Sequence, residues 1–193
     1  WLFDASGRRV LDAYNNVAQL GHSHPRVVDA LARQARALNT NTRYLTDAVV
    51  AYSEELGSLL PGDLSVCYFV CSGSEANDLA WRIAKTVTGN TGAIVTEHAY
   101  HGATDAVMAM SPEEHRGAPL VDWVATIAPP RPGVDGGQEV ERAIATLGRA
   151  GHRPAALFLD SIFSSDGIWD APAAYFENSA AAVRSAGGLW IAD

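Results

Sequence analysis

From residue 65 onward, short runs of β-branched and aromatic residues alternate with longer stretches in which apolar side chains recur every three or four positions. That rhythm predicts crossover units on a mostly parallel sheet. The strand candidates are 66–71, 93–96, 123–127, 155–160 and 189–193. Between them, the segment 75–88 places Ala76, Leu79, Ala80, Ile83, Ala84 and Val87 on one helical face. Val140, Ile144 and Leu147 mark another helix, and a further one starts at Pro172 with Tyr175, Phe176, Ala180 and Val183 facing inward. The pattern is that of an α/β fold, a mostly parallel sheet with helices on both faces.

The first third reads differently. Residues 2–17 alternate short apolar and polar stretches around a turn signal at Ala5-Ser6-Gly7, which predicts a small hairpin or an extended arm. His24-Pro25 opens a helix with Val27, Val28, Leu31, Ala35 and Leu38 on one face. A second helix over 47–60 carries Val49, Tyr52, Leu56, Leu59 and Leu60 and stops at Pro61-Gly62. The one long loop-like stretch is 129–138, rich in Pro and Gly. Asp193 closes an apolar strand with no helix after it to cover that strand, so the 193 residues are expected to be a fragment of a longer protein.

Composition narrows the function classes. No uncharged apolar run approaches the roughly 18 residues of a membrane span, so a membrane protein is not expected. A formal charge of −8, from 14 basic and 22 acidic residues, lacks the basic footprint of a nucleic-acid binder. The opening Trp1-Leu2-Phe3-Asp4 has neither a basic leader nor an apolar core, which reads against secretion. Cys67 and Cys71 lie four apart in a predicted strand; at about 3.3 Å per residue their Cα atoms are roughly 13 Å apart, too far for a disulfide. Reduced, buried thiols in a cytoplasmic protein are expected.

In an open parallel sheet, ligands gather at the carboxyl ends of the strands. Those positions hold Ser72-Gly73-Ser74 before a helix, the stretch Glu97 through Gly102 that includes Tyr100, then Asp160, and finally Asp193. A glycine-containing turn into a helix N-terminus offers free N–H groups and a favourable dipole to an anion such as phosphate, although Ser72 or Ser74 serving only as a helix cap is equally consistent. The pairs His22-x-His24 and His98-x-x-His101 lack an acidic third ligand at fixed spacing, so no metal site is expected and all four read as turn or surface histidines. Tyr100 reads as packing or as cover for a flat ring, and Asp193 as a turn cap or a chemical group. Together, a phosphate seat, an aromatic platform and a carboxylate suit a flat, phosphorylated, nitrogen-containing ring; pyridoxal 5'-phosphate is such a molecule.

At these residues the chain resembles the class III aminotransferase family of pyridoxal phosphate enzymes. The motifs are LFDASGRRVLDAYNNV, GHSHPRVVDAL, CSGSEANDLAWRIAK, EHAYHGAT and AGGLWIAD, along nearly the whole length. LNTNTRYL, NNVAQLGHSHP and APAAYFENSAAAVRSAGG are most similar to the branch of ethanolamine-phosphate phospho-lyases and alanine–glyoxylate aminotransferase-like proteins. The resemblance implies the type I aminotransferase fold, with residues 1–44 as the N-terminal arm and helix of the small domain and 45–193 as the first part of the cofactor-binding large domain. It implies that Ser72, Gly73 and Ser74 hold the cofactor phosphate, that Tyr100 stacks on the ring, and that Asp193, the catalytic carboxylate, pairs with the pyridine nitrogen. Asn15, Asn16 and Tyr44 fall where the family lines its substrate pocket. Asp160 stands where the family has a glutamate, a departure that shortens the acid by one methylene.

The implied activity is amino transfer between a primary amine or amino acid and an oxo acid through a Schiff base, in a homodimer with each site built from both subunits. Phosphate elimination from a phosphoethanolamine-like substrate uses the same residues and stays open beside it. The family's Schiff-base lysine is expected beyond residue 193. Lys85, the only lysine, sits 11 residues after Ser74, about 16 Å along a helix, against a side-chain reach of roughly 6 Å. The 193 residues alone are therefore expected to be inactive. A non-catalytic homologue kept for binding or dimerisation is the reading of a different class, and a generic nucleotide-binding α/β domain is a third, weakened by the absence of the glycine fingerprints.

Overall fold

A computed structural model describes residues 1–12, 19–41, 43–62 and 64–193. Contacts divide them into two units, Trp1–Cys67 and Tyr68–Asp193.

The first unit opens with a hairpin, strands β1 (Leu2–Phe3) and β2 (Arg9–Val10) pairing antiparallel around Gly7, whose φ of 83° the turn requires. Helix α1 (Pro25–Ala37) starts with its proline in the first turn, and α2 (Asp47–Leu59) starts at Thr46, whose side chain accepts from the Val49 N–H. Both helices form where the periodicity predicts them. Their apolar faces stay uncovered: no described residue of this unit is buried, and Leu31 and Leu59 are each more than two-thirds exposed.

The second unit is a parallel sheet of four strands in the order β4-β3-β5-β6, formed by β3 (Gly92–Thr96), β4 (Val124–Ile127), β5 (Pro154–Leu159) and β6 (Leu189–Ala192). Successive side chains along a strand point to opposite faces, and two separate cores follow from that alternation. Ala93, Val95, Ala156 and Phe158 pack with Trp81 and Ala84 of α3 (Gly73–Thr88) and Val107 of α4 (Asp105–Ala109). Ile94, Leu157 and Leu159 pack with Val140 and Leu147 of α6 (Gly136–Arg149) and Tyr175 and Val183 of α7 (Ala173–Ser185). A short α5 (Pro112–His115) follows α4. The α/β architecture with helices on both faces is thus the observed one.

Several expectations need correction. Residues 66–71 form no strand: a β-prone run becomes one only where a neighbour presents a matching edge, and among the described residues β4 and β6 do not pair with it. Cys67 is accordingly half-buried and Cys71 exposed, both free, rather than buried in a sheet. Helix α3 buries Asn77, Trp81 and Ala84, while Ile83 and Val87 face outward. Trp81 decides this, because turning it inward removes more apolar area than turning in Ile83; it stacks on Trp123 with ring centroids 5.5 Å apart and meets Phe158 at 6.4 Å. The 129–138 loop is shorter than expected, since Asp135 caps α6 by accepting from the Gln138 N–H and the helix begins at Gly136.

Candidate active site

The start of α3 is fixed by two local bonds. Ser72 Oγ accepts from the Glu75 N–H at 3.1 Å, and Glu75 Oε2 accepts from the Cys71 N–H at 2.6 Å. This reciprocal cap leaves Gly73 and Ser74 at the first helical positions, whose N–H groups the helix itself does not use. Ser72 and Gly73 are exposed, and a Cβ built on Gly73 would meet nothing within 4 Å. The arrangement is an open seat with positive dipole, suited to an anion.

The segment after β3 lies directly on that helix start. Ser74 Oγ accepts from the Ala103 N–H at 3.0 Å, and the buried Asn77 Nδ2 donates to the His101 carbonyl at 2.8 Å. Such an approach demands glycine at 102: its φ is +135°, and a Cβ there would lie 2.5 Å from Ser74 Oγ and 2.7 Å from Ser74 Cα. Tyr100, two residues earlier, keeps about half of its surface open (46%).

His101 joins this segment to the far edge of the sheet. Its side chain is wholly buried, its ring centroid lies 5.6 Å from that of Phe158, and its Nδ1 stands 2.7 Å from Asp193 Oδ2. Asp193 is delivered by the backbone: its N–H donates to the Leu159 carbonyl at 2.9 Å, extending the β5–β6 ladder by one residue. Its side chain remains 29% exposed. Hydrogen bonds therefore link three of the four regions singled out in the sequence: the helix start to the 100–104 segment through Ser74 and Asn77, and that segment to Asp193 through His101.

Asp160, just past β5, is occupied by its own loop. Oδ1 accepts from the Ile162 N–H, and Oδ2 accepts from the Ser164 N–H and the Ser164 hydroxyl. Burial works to raise its carboxyl, but the Ser164 hydroxyl and the Ile162 and Ser164 amides together hold it below the ordinary aspartate value. Asp166 fastens the same loop to β3, accepting from Thr96 Oγ1 at 2.5 Å and from the His98 N–H at 2.9 Å.

Of the remaining sequence-predicted residues, Asn15 and Asn16 lie outside the described residues, and Tyr44 belongs to the first unit, where it is 62% exposed. Lys85 is exposed on α3 with Nζ 5.2 Å from the Trp81 ring centroid. His22 and His98 are exposed as expected. His101 is not a surface histidine: two backbone bonds and the Asp193 carboxylate hold it inside. Sequence reasoning also passed over Asn77, Ser111 and Asp166. His101 alone carried a usable signal, its place between Tyr100 and Gly102, whereas the others depend on partners 10 to 70 positions away.

The model of the family described as aminotransferase class-III matches residues 1–193. An alanine–glyoxylate aminotransferase 2-like protein of Drosophila melanogaster is 40% identical over all of this chain and 43% of its own length. The ethanolamine-phosphate phospho-lyase homolog 1 of Caenorhabditis elegans is 33% identical over all of this chain and 46% of its own. Among solved structures, a phospholyase from Arthrobacter in complex with phosphoethanolamine superposes with a TM-score of 0.90 at 40% identity, covering 100% of this chain and 48% of that one. The chain thus spans less than half the length of the relatives it matches.

Proposed function

Because the chain belongs to the class-III aminotransferase family, whose members depend on pyridoxal phosphate, we propose that it forms the cofactor-holding part of such an enzyme. The N–H groups of Gly73 and Ser74, with the Ser72 and Ser74 hydroxyls beside them, bind the phosphate dianion at the positive end of α3. Tyr100 covers one ring face, and the Asp193 carboxylate accepts from the protonated ring nitrogen. The bound cofactor supplies an electron sink, so that an amine substrate loses a proton from the carbon beside its nitrogen. Asp160, bonded to Ser164 and Ile162, shapes the loop beside that ring and contributes negative charge next to His101. Asn15, Asn16 and Tyr44 line the substrate pocket in this reading, in which 1–44 belong to the smaller domain of the parent protein and 45–193 to the first part of the larger.

The observation that supports the reading best is the run of bonds that ties the start of α3 to the segment carrying Tyr100, through Ser74, Ala103 and Asn77, and that segment to Asp193 through His101. The substrates are a primary amine or amino acid and an oxo acid. Phosphate elimination from phosphoethanolamine is the second reading, favoured by the likeness to the Arthrobacter phospholyase. We assign the Schiff-base lysine to the parent beyond these 193 residues, because Lys85 stands on Trp81; the segment alone then has neither activity. A cytoplasmic homodimer is the state proposed for the parent.

Titration of the chain with pyridoxal phosphate, followed by absorbance and circular dichroism, tests the cofactor assignment. Saturable binding that weakens in Asp193→Asn and in Gly73→Pro is expected; binding unchanged in both refutes it. With the parent protein and phosphoethanolamine, release of phosphate and acetaldehyde identifies the lyase, and amino transfer to an oxo acid the aminotransferase.

A further inference from the structure

Resting on that reading of the site, we propose that His101 is a positioning residue for Asp193, acting as a neutral ring with its proton on Nδ1, so that the carboxylate is fixed in place while the pair keeps a full negative charge for the ring nitrogen of the cofactor. The ring has no freedom to do otherwise. Its backbone is held on both sides, the N–H donating to Ser111 Oγ at 3.0 Å and the carbonyl accepting from Asn77 Nδ2 at 2.8 Å. Ser111 is itself fully buried and donates to the Val107 carbonyl at 2.8 Å, which anchors the clamp in α4. Phe158 packs on the ring from β5.

The proton's place follows from the partners. An ionised carboxylate only accepts, so the 2.7 Å contact with Asp193 Oδ2 requires the proton on Nδ1. The other nitrogen, Nε2, is buried and has no partner among the described residues. A second N–H there would be a buried donor with no acceptor, and a charged ring would add the cost of burying the ion. A bare lone pair avoids both. The neutral ring therefore orients Asp193 without cancelling its charge, and the carboxylate side chain stays 29% exposed.

Two measurements on the 193-residue chain test this. Long-range 1H–15N spectra of the labelled protein, assigned through the His101→Asn variant, should show Nδ1 protonated and Nε2 bare; a proton on Nε2, alone or with Nδ1, overturns the proposal. In parallel, His101→Phe keeps the volume without a donor, whereas His101→Asn keeps an N–H near the place of Nδ1. Pyridoxal phosphate affinity should fall about ten- to a hundredfold in the first, the loss expected for a charge-assisted hydrogen bond, and stay within about threefold in the second. Equal affinity in wild type and His101→Phe overturns the role, as does an equal fall in both variants. If His101→Phe does not fold, the spectra and His101→Asn still decide. If the wild-type chain takes up no pyridoxal phosphate, the cofactor assignment fails and the spectra alone judge the pair.

Discussion

Replacing Gly102 with alanine tests whether the segment after β3 must touch α3. The added methyl group would stand 2.5, 2.7 and 2.8 Å from Ser74 Oγ, Cα and Cβ. Carbon contacts settle at about 3.5–4.0 Å, so each is short by roughly 1 Å. Two of the three atoms belong to the fixed start of a helix and have no rotamer to retreat into. Relief therefore means lifting the segment off α3, which breaks the Ala103–Ser74 and Asn77–His101 bonds. Strain at a φ of +135° costs about 1–3 kcal/mol, and the overpacking about 1–3 kcal/mol more. The sum, about 4 kcal/mol, is a large share of the roughly 5–15 kcal/mol that holds a domain together. Gly133→Ala is the control, because Gly133 has φ +84° and nothing within 4 Å of its would-be Cβ. It should cost only the conformational part, about 1–2 kcal/mol. Urea unfolding of both variants separates the two contributions. Equal losses would refute the claim that a close approach, rather than backbone angle, selects glycine at 102.

Ser72→Ala should destabilise the chain by about 1 kcal/mol through loss of the cap on Glu75, measured by urea unfolding, and weaken pyridoxal phosphate binding as the helix start frays. Asp160 has a folded-state value below its ordinary 3.8, so its contribution to stability is present above 3.8 and lost as pH falls through the lower value; Asp160→Asn should flatten that acid limb of the stability profile. Burial, with the charges of Asp166 and Glu97, raises the Tyr175 phenol above its ordinary 10.0, so stability should fall as pH climbs past 10, where the unfolded chain ionises and the folded chain does not. Tyr175→Phe should remove that alkaline limb and cost about 1–3 kcal/mol at neutral pH, because the Ala128 carbonyl loses its donor. Lys85→Ala should leave pyridoxal phosphate binding unchanged and cost about 0.5–1 kcal/mol for the lost contact with Trp81.

The sequence made legible whatever depends on neighbours in the chain. Four of its five strand candidates and every long helix follow from periodicity, and the α3 cap is written in Ser72 and Glu75. Residues 66–71 were misread because pairing depends on a partner strand, which local pattern does not report. The buried face of α3 was misread because Asn77 counted as polar, although the distant His101 carbonyl satisfies its amide. Ser72, Gly73, Ser74, Tyr100 and Asp193 were singled out by their predicted place at strand ends; that place holds for Tyr100 after β3 and Asp193 after β6, whereas 66–71 forms no strand before Ser72. The chain's reading of Asp160 as a neighbour of the ring left out Ser164, which occupies the same carboxylate. His101 escaped for the opposite reason, since its partner lies 92 residues away and its place between Tyr100 and Gly102 does not by itself tell an interior imidazole from an exposed one.

Asp193 rides on β6, which among the described residues pairs with β5 alone, whereas the start of α3 and the segment above it are fastened to each other independently of that strand. A guest that grips both the helix amides and this acid consequently clasps the border of the sheet shut. Occupancy and fraying then compete: at a hundred times its dissociation constant such a guest adds about 2.7 kcal/mol against opening, and amide exchange along 189–193 becomes a gauge of how full the site is.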